Sequence, residues 1–99
     1  MTWKIVIAPE ALKMIEGITD RRVRGIIERS IDGLELDPDR QGKPLGKELS
    51  GNRSKKVAGR RYRIVYRIDF QKHVVYIKGI GIRREGSKND IYERMKKRL

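Results

Sequence analysis

Positively charged side chains are the residues of this sequence that could carry chemistry. They crowd the second half of the chain, at Arg53, Lys55, Lys56, Arg60, Arg61, Arg63 and Arg67, followed by Arg83 and Arg84. Phosphoryl transfer can be catalysed by positioning and by cations that face the developing charge. RNA supplies its own nucleophile in the 2′-hydroxyl, so such a site needs no metal. Charge alone favours a phosphate-binding surface without turnover.

Other kinds of site find little support in the sequence. His73 is the single histidine and follows a hairpin turn, where we expect exposure rather than a catalytic base. Asp37 and Asp39 flank a proline at a predicted helix end, and dedicated metal sites converge more ligands than this. The chain has no cysteine, so thiolate sites and disulfides are excluded. We therefore expect no metal and no cofactor.

The overall charge points to a polyanionic partner. The chain has 99 residues, with 25 Lys and Arg against 13 Asp and Glu, a net charge of +12. Such a one-sided excess attracts nucleic acid, an acidic protein or an anionic membrane. The length predicts a single domain, 1–99. We expect a cytoplasmic protein, because no signal peptide and no apolar run long enough to span a membrane is visible.

The first half of the sequence predicts one strand and a helical hairpin. Trp3–Ala8 is rich in strand-forming residues and ends at a proline. The helices are predicted over Pro9–Ile15, which Gly17 ends, and from a Thr19 or Asp20 cap to about Leu36. Gln41–Asn52 is predicted as loop.

From there the apolar period changes to two, which predicts an antiparallel meander. The expected strands are Ser54–Val57, Tyr62–Asp69 and His73–Ile82, and Asn89 or Asp90 caps a last short helix through Arg98. The order βααβββα predicts an α+β fold, with a four-stranded antiparallel, mixed-edge sheet and the helical hairpin on one face. Alternation assigns Arg63, Val65 and Arg67 to the other face, which we expect to be open, with Arg83 beside them.

Several segments resemble the RelE/ParE superfamily of small toxins from type II toxin–antitoxin pairs. The segment Gly59-Arg60-Arg61-Tyr62-Arg63-Ile64-Val65-Tyr66 is similar to a family motif, and so is Gly79-Ile80-Gly81-Ile82-Arg83 with Ile91-Tyr92 after it. The RelE-like branch cuts messenger RNA in the ribosomal decoding site without metal. The ParE-like branch poisons DNA gyrase. The set of cations favours the RelE-like branch.

The resemblance implies particular roles and partners. Lys56 or Lys55 would be the general base, Arg63 would stabilise the phosphate and Arg83 would be the general acid. Tyr92 would stack on a nucleobase of the RNA. RNA would also be bound by Arg53, Arg60, Arg61, Arg67 and Arg84. The partners would be an acidic antitoxin, giving a hetero-oligomer, and messenger RNA on the ribosome with contacts to 16S rRNA. The toxin alone would be a monomer.

Two departures from the family pattern leave alternatives open. Lys55 and Lys56 are adjacent, so alternation sends them to opposite faces, and a bulge near Gly59 could exchange them. Tyr92 lies farther from Arg83 than the pattern leads us to expect, because Glu85–Lys88 looks inserted. A gyrase inhibitor without nuclease chemistry, or an inactive toxin that only binds its antitoxin, is therefore retained as an alternative.

Overall fold

A five-stranded sheet organises the part of the chain that the structure describes. The computed structural model describes residues 2–59 and 61–98. The strands are β1 (Lys4–Ile7), β2 (Lys43–Pro44), β3 (Arg53–Val57), β4 (Tyr62–Asp69) and β5 (Val74–Ile82), in the spatial order β1-β5-β4-β3-β2. β1 pairs with β5 in parallel and the other pairs are antiparallel, so the predicted mixed edge is confirmed. β2 is an addition to the four predicted strands, in a segment too short to show any alternation.

Within the described ranges, three α-helices accompany the sheet, namely α1 (Pro9–Glu16), α2 (Arg21–Asp32) and α3 (Ile91–Arg98). The Asp20 side chain caps α2 by accepting hydrogen bonds from the backbone of Arg22 (3.0 Å) and Val23 (3.3 Å). The predicted continuation of α2 to Leu36 is wrong. The helix ends at Asp32, and a 3₁₀ turn (Gly33–Glu35) follows. The first residue of this turn is a glycine, which disfavours continuation of the α-helix.

The main core lies between the helical hairpin and one face of the sheet. Its fully buried side chains include Ile27, Leu34, Ile64, Tyr66 and Ile77. The Tyr66 hydroxyl donates a hydrogen bond to the Pro38 carbonyl oxygen at 2.7 Å, which satisfies its polar end inside the core. Burial raises the pKa of Tyr66, against the opposing effect of Arg53. Ile64 and Tyr66 thus occupy the face of β4 opposite Arg63, as the predicted alternation along this strand implies.

The second face of the sheet is partly covered, so the prediction of an open face is wrong there. Met95 and Ile91 of α3 pack on Val65 of β4, together with Leu49 from the loop before β3. Glycines in β5 make room for α3. A Cβ atom on Gly79 would lie 2.5 Å from the Met95 Sδ, and one on Gly81 would lie 3.0 Å from the Ile91 Cδ1. Alternation identifies the two faces of a sheet, but it does not reveal which element covers each face.

Candidate functional site

The two adjacent lysines of β3 lie on opposite faces of the sheet. Lys55 pairs with Ile64, a residue of the main core, whereas Lys56 pairs with Arg63. Lys56 is exposed and shares the face of Arg63. The register irregularity falls between Val65 and Tyr66, where β4 pairs with β5, so the register around the lysines is regular. The geometry therefore brings Lys56 to Arg63 and directs Lys55 to the side of the helical hairpin.

Lys55 ties α2 to the loop that follows it. Its Nζ donates hydrogen bonds to the Ser30 carbonyl oxygen at 3.2 Å and to the Gln41 Oε1 at 2.6 Å. Gln41 in turn donates to the carbonyl oxygens of Gly33 (2.7 Å) and Leu36 (2.5 Å). Burial lowers the pKa of Lys55, because a charged ammonium is poorly hydrated there. These contacts give Lys55 a structural function in this part of the chain.

Lys56, Arg63 and Tyr92 line one cavity of about 410 Å³. Its remaining lining comes from the neighbouring edge of the sheet, namely Gln41, Gly42, Lys43, Pro44, Leu45, Ser54 and Lys55. The Ser54 and Tyr92 hydroxyls are 2.6 Å apart, which fixes the Tyr92 ring against β3. Cations and an aromatic ring therefore line the same cavity. Ser54 alternates with Lys56 on the same face, but the sequence pattern gives Ser54 no role of its own.

Arg83 reaches this site through Tyr92. The Arg83 guanidinium carbon lies 4.5 Å from the centre of the Tyr92 ring. Its Nη1 donates to the Asp90 Oδ2 at 2.6 Å, and its Nη2 lies 3.5 Å from the Glu85 carboxylate. The hydrogen bond to Asp90 raises the pKa of Arg83. Tyr92 therefore connects Arg83 to the cavity that holds Lys56 and Arg63.

Asp90 is the acidic residue of the site, and its carboxylate is buried. Burial alone would raise the pKa of Asp90, but the hydrogen bonds from Arg83 and from the backbone of Arg84 and Tyr92 lower it overall. Asp90 is thus an ionised carboxylate held by several donors. From the sequence, Asp90 is only one of two possible caps for α3. Its distance from Arg83 along the chain does not predict a contact between the two side chains.

The residues predicted to bind RNA occupy different environments. The Arg53 Nη2 donates to the carbonyl oxygens of Asp39 (2.7 Å) and Gly42 (2.6 Å), so Arg53 anchors a loop. Arg61 is exposed in the turn before β4, and Arg67 is an exposed residue of β4 that alternation assigns to the face of Arg63. Arg84 lines a separate groove of about 490 Å³ between the helical hairpin and α3. Arg60 lies outside the described residues.

His73 is half-buried, so the prediction that it is exposed is wrong. Its ring stacks on Trp3 with 3.8 Å between the ring centres. Phe70 makes an edge contact with the same Trp3 ring. In the described chain, no group of three or more His, Asp or Glu side chains could hold a metal ion. Across residues 2–59 and 61–98, none of the helices has the length and apolar character that crossing a membrane requires.

Solved structures share this fold. The toxin–antitoxin complex RelBE2 from Mycobacterium tuberculosis matches with 29% identity and a TM-score of 0.72, over 84% of this chain and 93% of that one. A mutant of the E. coli toxin RelE in the free state matches with 22% identity and a TM-score of 0.74, over 100% and 99%. The YoeB/ParE toxin from Agrobacterium tumefaciens matches with 21% identity and a TM-score of 0.69, over 82% and 99%. These matches show that the chain has the α+β fold of those small toxins.

The family follows from the sequence itself. Residues 5–86 match the family model described as the ParE toxin of the type II toxin–antitoxin system parDE. No curated protein is similar enough in sequence to count as a match. The chain belongs to the ParE toxin family of type II toxin–antitoxin systems, within the RelE/ParE superfamily. The resemblance inferred from the sequence motifs is thereby confirmed.

Proposed function

We propose that this toxin is an endoribonuclease that cuts messenger RNA on the ribosome without a metal and so stops translation. One observation carries the proposal, namely that Lys56, Arg63 and Tyr92 line one cavity and Arg83 stacks on Tyr92. Cations that surround a scissile phosphate stabilise the charge that develops on its oxygens. An aromatic ring beside them offers a surface on which a base can stack.

The chemistry uses the 2′-hydroxyl of the RNA as the nucleophile. Lys56, in its neutral form, accepts the 2′ proton, the 2′ oxygen attacks the adjacent phosphorus, and the bond to the 5′ oxygen breaks to leave a cyclic phosphate. Arg63 stabilises the phosphate oxygens. The family resemblance implies that Arg83 is the general acid. The hydrogen bond to Asp90 raises the pKa of Arg83, which makes proton donation harder. Arg83 therefore stabilises the negative charge on the leaving oxygen. The proton for that oxygen then comes from solvent.

The proposed partner is an acidic antitoxin that covers the basic surface. The related RelBE2 structure is a toxin–antitoxin complex, and so is the archaeal RelE–RelB structure from Pyrococcus horikoshii. A net charge of +12 favours an acidic polypeptide in the same way that it favours RNA. We propose a single toxin domain over 1–99, a monomer alone and a hetero-oligomer with its antitoxin. It would act in the cytoplasm, where exposed arginines such as Arg61 and Arg67 contact 16S rRNA.

The direct test is induced expression with transcripts mapped at nucleotide resolution. Growth arrest should be accompanied by cleaved messages on translating ribosomes, and Arg63→Ala should abolish both. Lys72→Ala is the matched control, because Lys72 is an exposed cation in the turn after β4 and should leave cleavage unchanged. Growth arrest with intact transcripts would refute the nuclease proposal.

A gyrase inhibitor without chemistry of its own is the second candidate. It is favoured by the family model, which describes a ParE toxin, and by the engagement of Arg83 in an ion pair. In the same expression experiment, this candidate predicts induction of the DNA-damage response with intact messages. Absence of toxicity, with retained antitoxin binding, would instead indicate an inactive toxin.

A further inference from the structure

Asp90 joins three parts of the site that are separate in the sequence. Its Oδ2 accepts from the Arg83 Nη1 at 2.6 Å and from the backbone of Tyr92 at 3.1 Å, while its Oδ1 accepts from the backbone of Arg84. The Arg94 backbone donates to the Asp90 carbonyl oxygen at 3.0 Å, as at the start of a helix. With the bond from the Tyr92 backbone to its side chain, Asp90 caps α3. Capping a helix needs one carboxylate oxygen at the helix end. The bonds to Arg83 and Arg84 go beyond that need.

These bonds act on the polar segment that separates Arg83 from Tyr92. Glu85–Lys88 lengthens this connection, and an extended chain would carry Arg83 away from the ring. Because Asp90 binds both the Arg83 side chain and the Arg84 backbone, it draws the start of the segment back to the start of α3. The guanidinium then lies 4.5 Å from the centre of the Tyr92 ring. The two functional groups therefore lie together although the polar segment Glu85–Lys88 separates them in the sequence.

We propose that Asp90 is a positioning residue that holds Arg83 against Tyr92 so that both face the reacting phosphate. This inference rests on the proposed nuclease function. The Asp90 carboxylate is buried, with a side chain 1% exposed, so it would not itself touch the RNA. The low pKa of Asp90 agrees with a carboxylate that stays ionised against Arg83. Its effect on catalysis is exerted through the placement of Arg83.

Cleavage kinetics on ribosomes programmed with a defined messenger RNA test the proposal. Asp90→Asn and Asp90→Ser both retain residue types that cap helices, so α3 should persist. Misplacement of a catalytic group should lower kcat on the order of tenfold to a hundredfold. KM should stay constant or fall, because each variant raises the net positive charge. Glu28→Gln, which neutralises an exposed acid on α2, is the matched control and should leave kcat unchanged.

A double-mutant cycle separates positioning from a purely structural role. In an Arg83→Ala background, Asp90→Asn should cause no further fall in kcat, because Asp90 acts through Arg83. A fall of equal size in both backgrounds would contradict positioning. Melting temperatures and circular dichroism of every variant establish that the comparison is made between folded proteins.

A spectroscopic measurement makes the inference independent of turnover. In the intact toxin, nuclear Overhauser contacts should join the Arg83 side chain to the Tyr92 ring, and Asp90→Ser should remove them. Their absence from the unmodified protein, or their persistence in the variant, would overturn the inference. If the unmodified toxin cleaves no RNA, the proposed function fails and these contacts still decide whether Asp90 positions Arg83. If the Asp90 variants cleave at the normal rate, positioning fails and the nuclease proposal stands.

Discussion

At the scale of single residues, the neighbours Lys55 and Lys56 have opposite environments and should give opposite mutational results. Lys56→Ala removes the proposed base from an exposed position, so cleavage should fall on the order of a hundredfold or more with little change in stability. Lys55→Ala removes hydrogen bonds to Ser30 and Gln41 and should lower the free energy of unfolding by about 1–2 kcal/mol. Cleavage assays and urea denaturation of both variants check this. The reverse pattern would assign the base to Lys55.

The pH dependence of stability should reveal the buried amine of Lys55. Burial lowers its pKa below 10.5 in the folded protein, so the folded state releases this proton before the unfolded state does. Stability therefore rises with pH between the lowered pKa and 10.5. Across that window, the unfolding free energy of the unmodified protein should rise relative to that of Lys55→Met. If the difference in unfolding free energy between the two proteins stays constant up to pH 10.5, the pKa of Lys55 is not lowered in the folded state.

Sequence patterns resolve some site residues and leave others undetermined. Alternation was enough to assign Arg63 to the face opposite the main core, because β4 is eight residues long and its irregularity lies beyond Arg63, between Val65 and Tyr66. It could not decide the functions of Lys55 and Lys56, since two adjacent lysines are equivalent until the pairing with β4 is known. The contact between Asp90 and Arg83 depends on the path of a polar loop, which has no periodic signal.

At the scale of elements, the docking of α3 depends on the glycines of β5. Gly79→Ala would bring a methyl group against the Met95 Sδ and should lower stability by about 1–3 kcal/mol through overpacking. Gly46→Ala is the matched control, because the space around Gly46 is empty within 4 Å and its φ is −117°, which alanine adopts freely. Thermal unfolding of both variants tests the contact. Equal melting temperatures would mean that α3 is not held by this packing.

The same elements show how far sequence periodicity extends. The strands β3, β4 and β5 and the helices α1 and α3 were predicted with their bounds close to those observed, because each carries a clear apolar pattern or cap. β2 has two residues, too few for a pattern. The position of α3 across the second face is a long-range packing choice that no local pattern records. Gly79 and Gly81 are visible in the sequence of β5, but nothing in the sequence identifies α3 as the element that packs on them.

At the scale of the whole molecule, the net charge of +12 predicts that RNA binding weakens steeply with salt. Counterion release from a single strand lowers the logarithm of affinity by about 0.7 for each neutralised phosphate per unit of log salt. If the RNA follows the face of Arg63, removing a cation on that face should reduce this slope, whereas removing one elsewhere should not. The distribution of charge, and not only its total, would then direct binding.

Arg67 and Lys72 provide the comparison, because Arg67 is an exposed cation of β4 on the face of Arg63 and Lys72 is an exposed cation in the turn after β4. Arg67→Ala should reduce the salt slope by about 0.7 if its side chain neutralises one phosphate, and Lys72→Ala should leave the slope unchanged. The measurement is fluorescence anisotropy with a single-stranded RNA that carries a 2′-deoxy nucleotide at the scissile position, so that binding is observed without cleavage. Equal reductions in both variants would show that the RNA responds to the net charge of the molecule and has no preferred face.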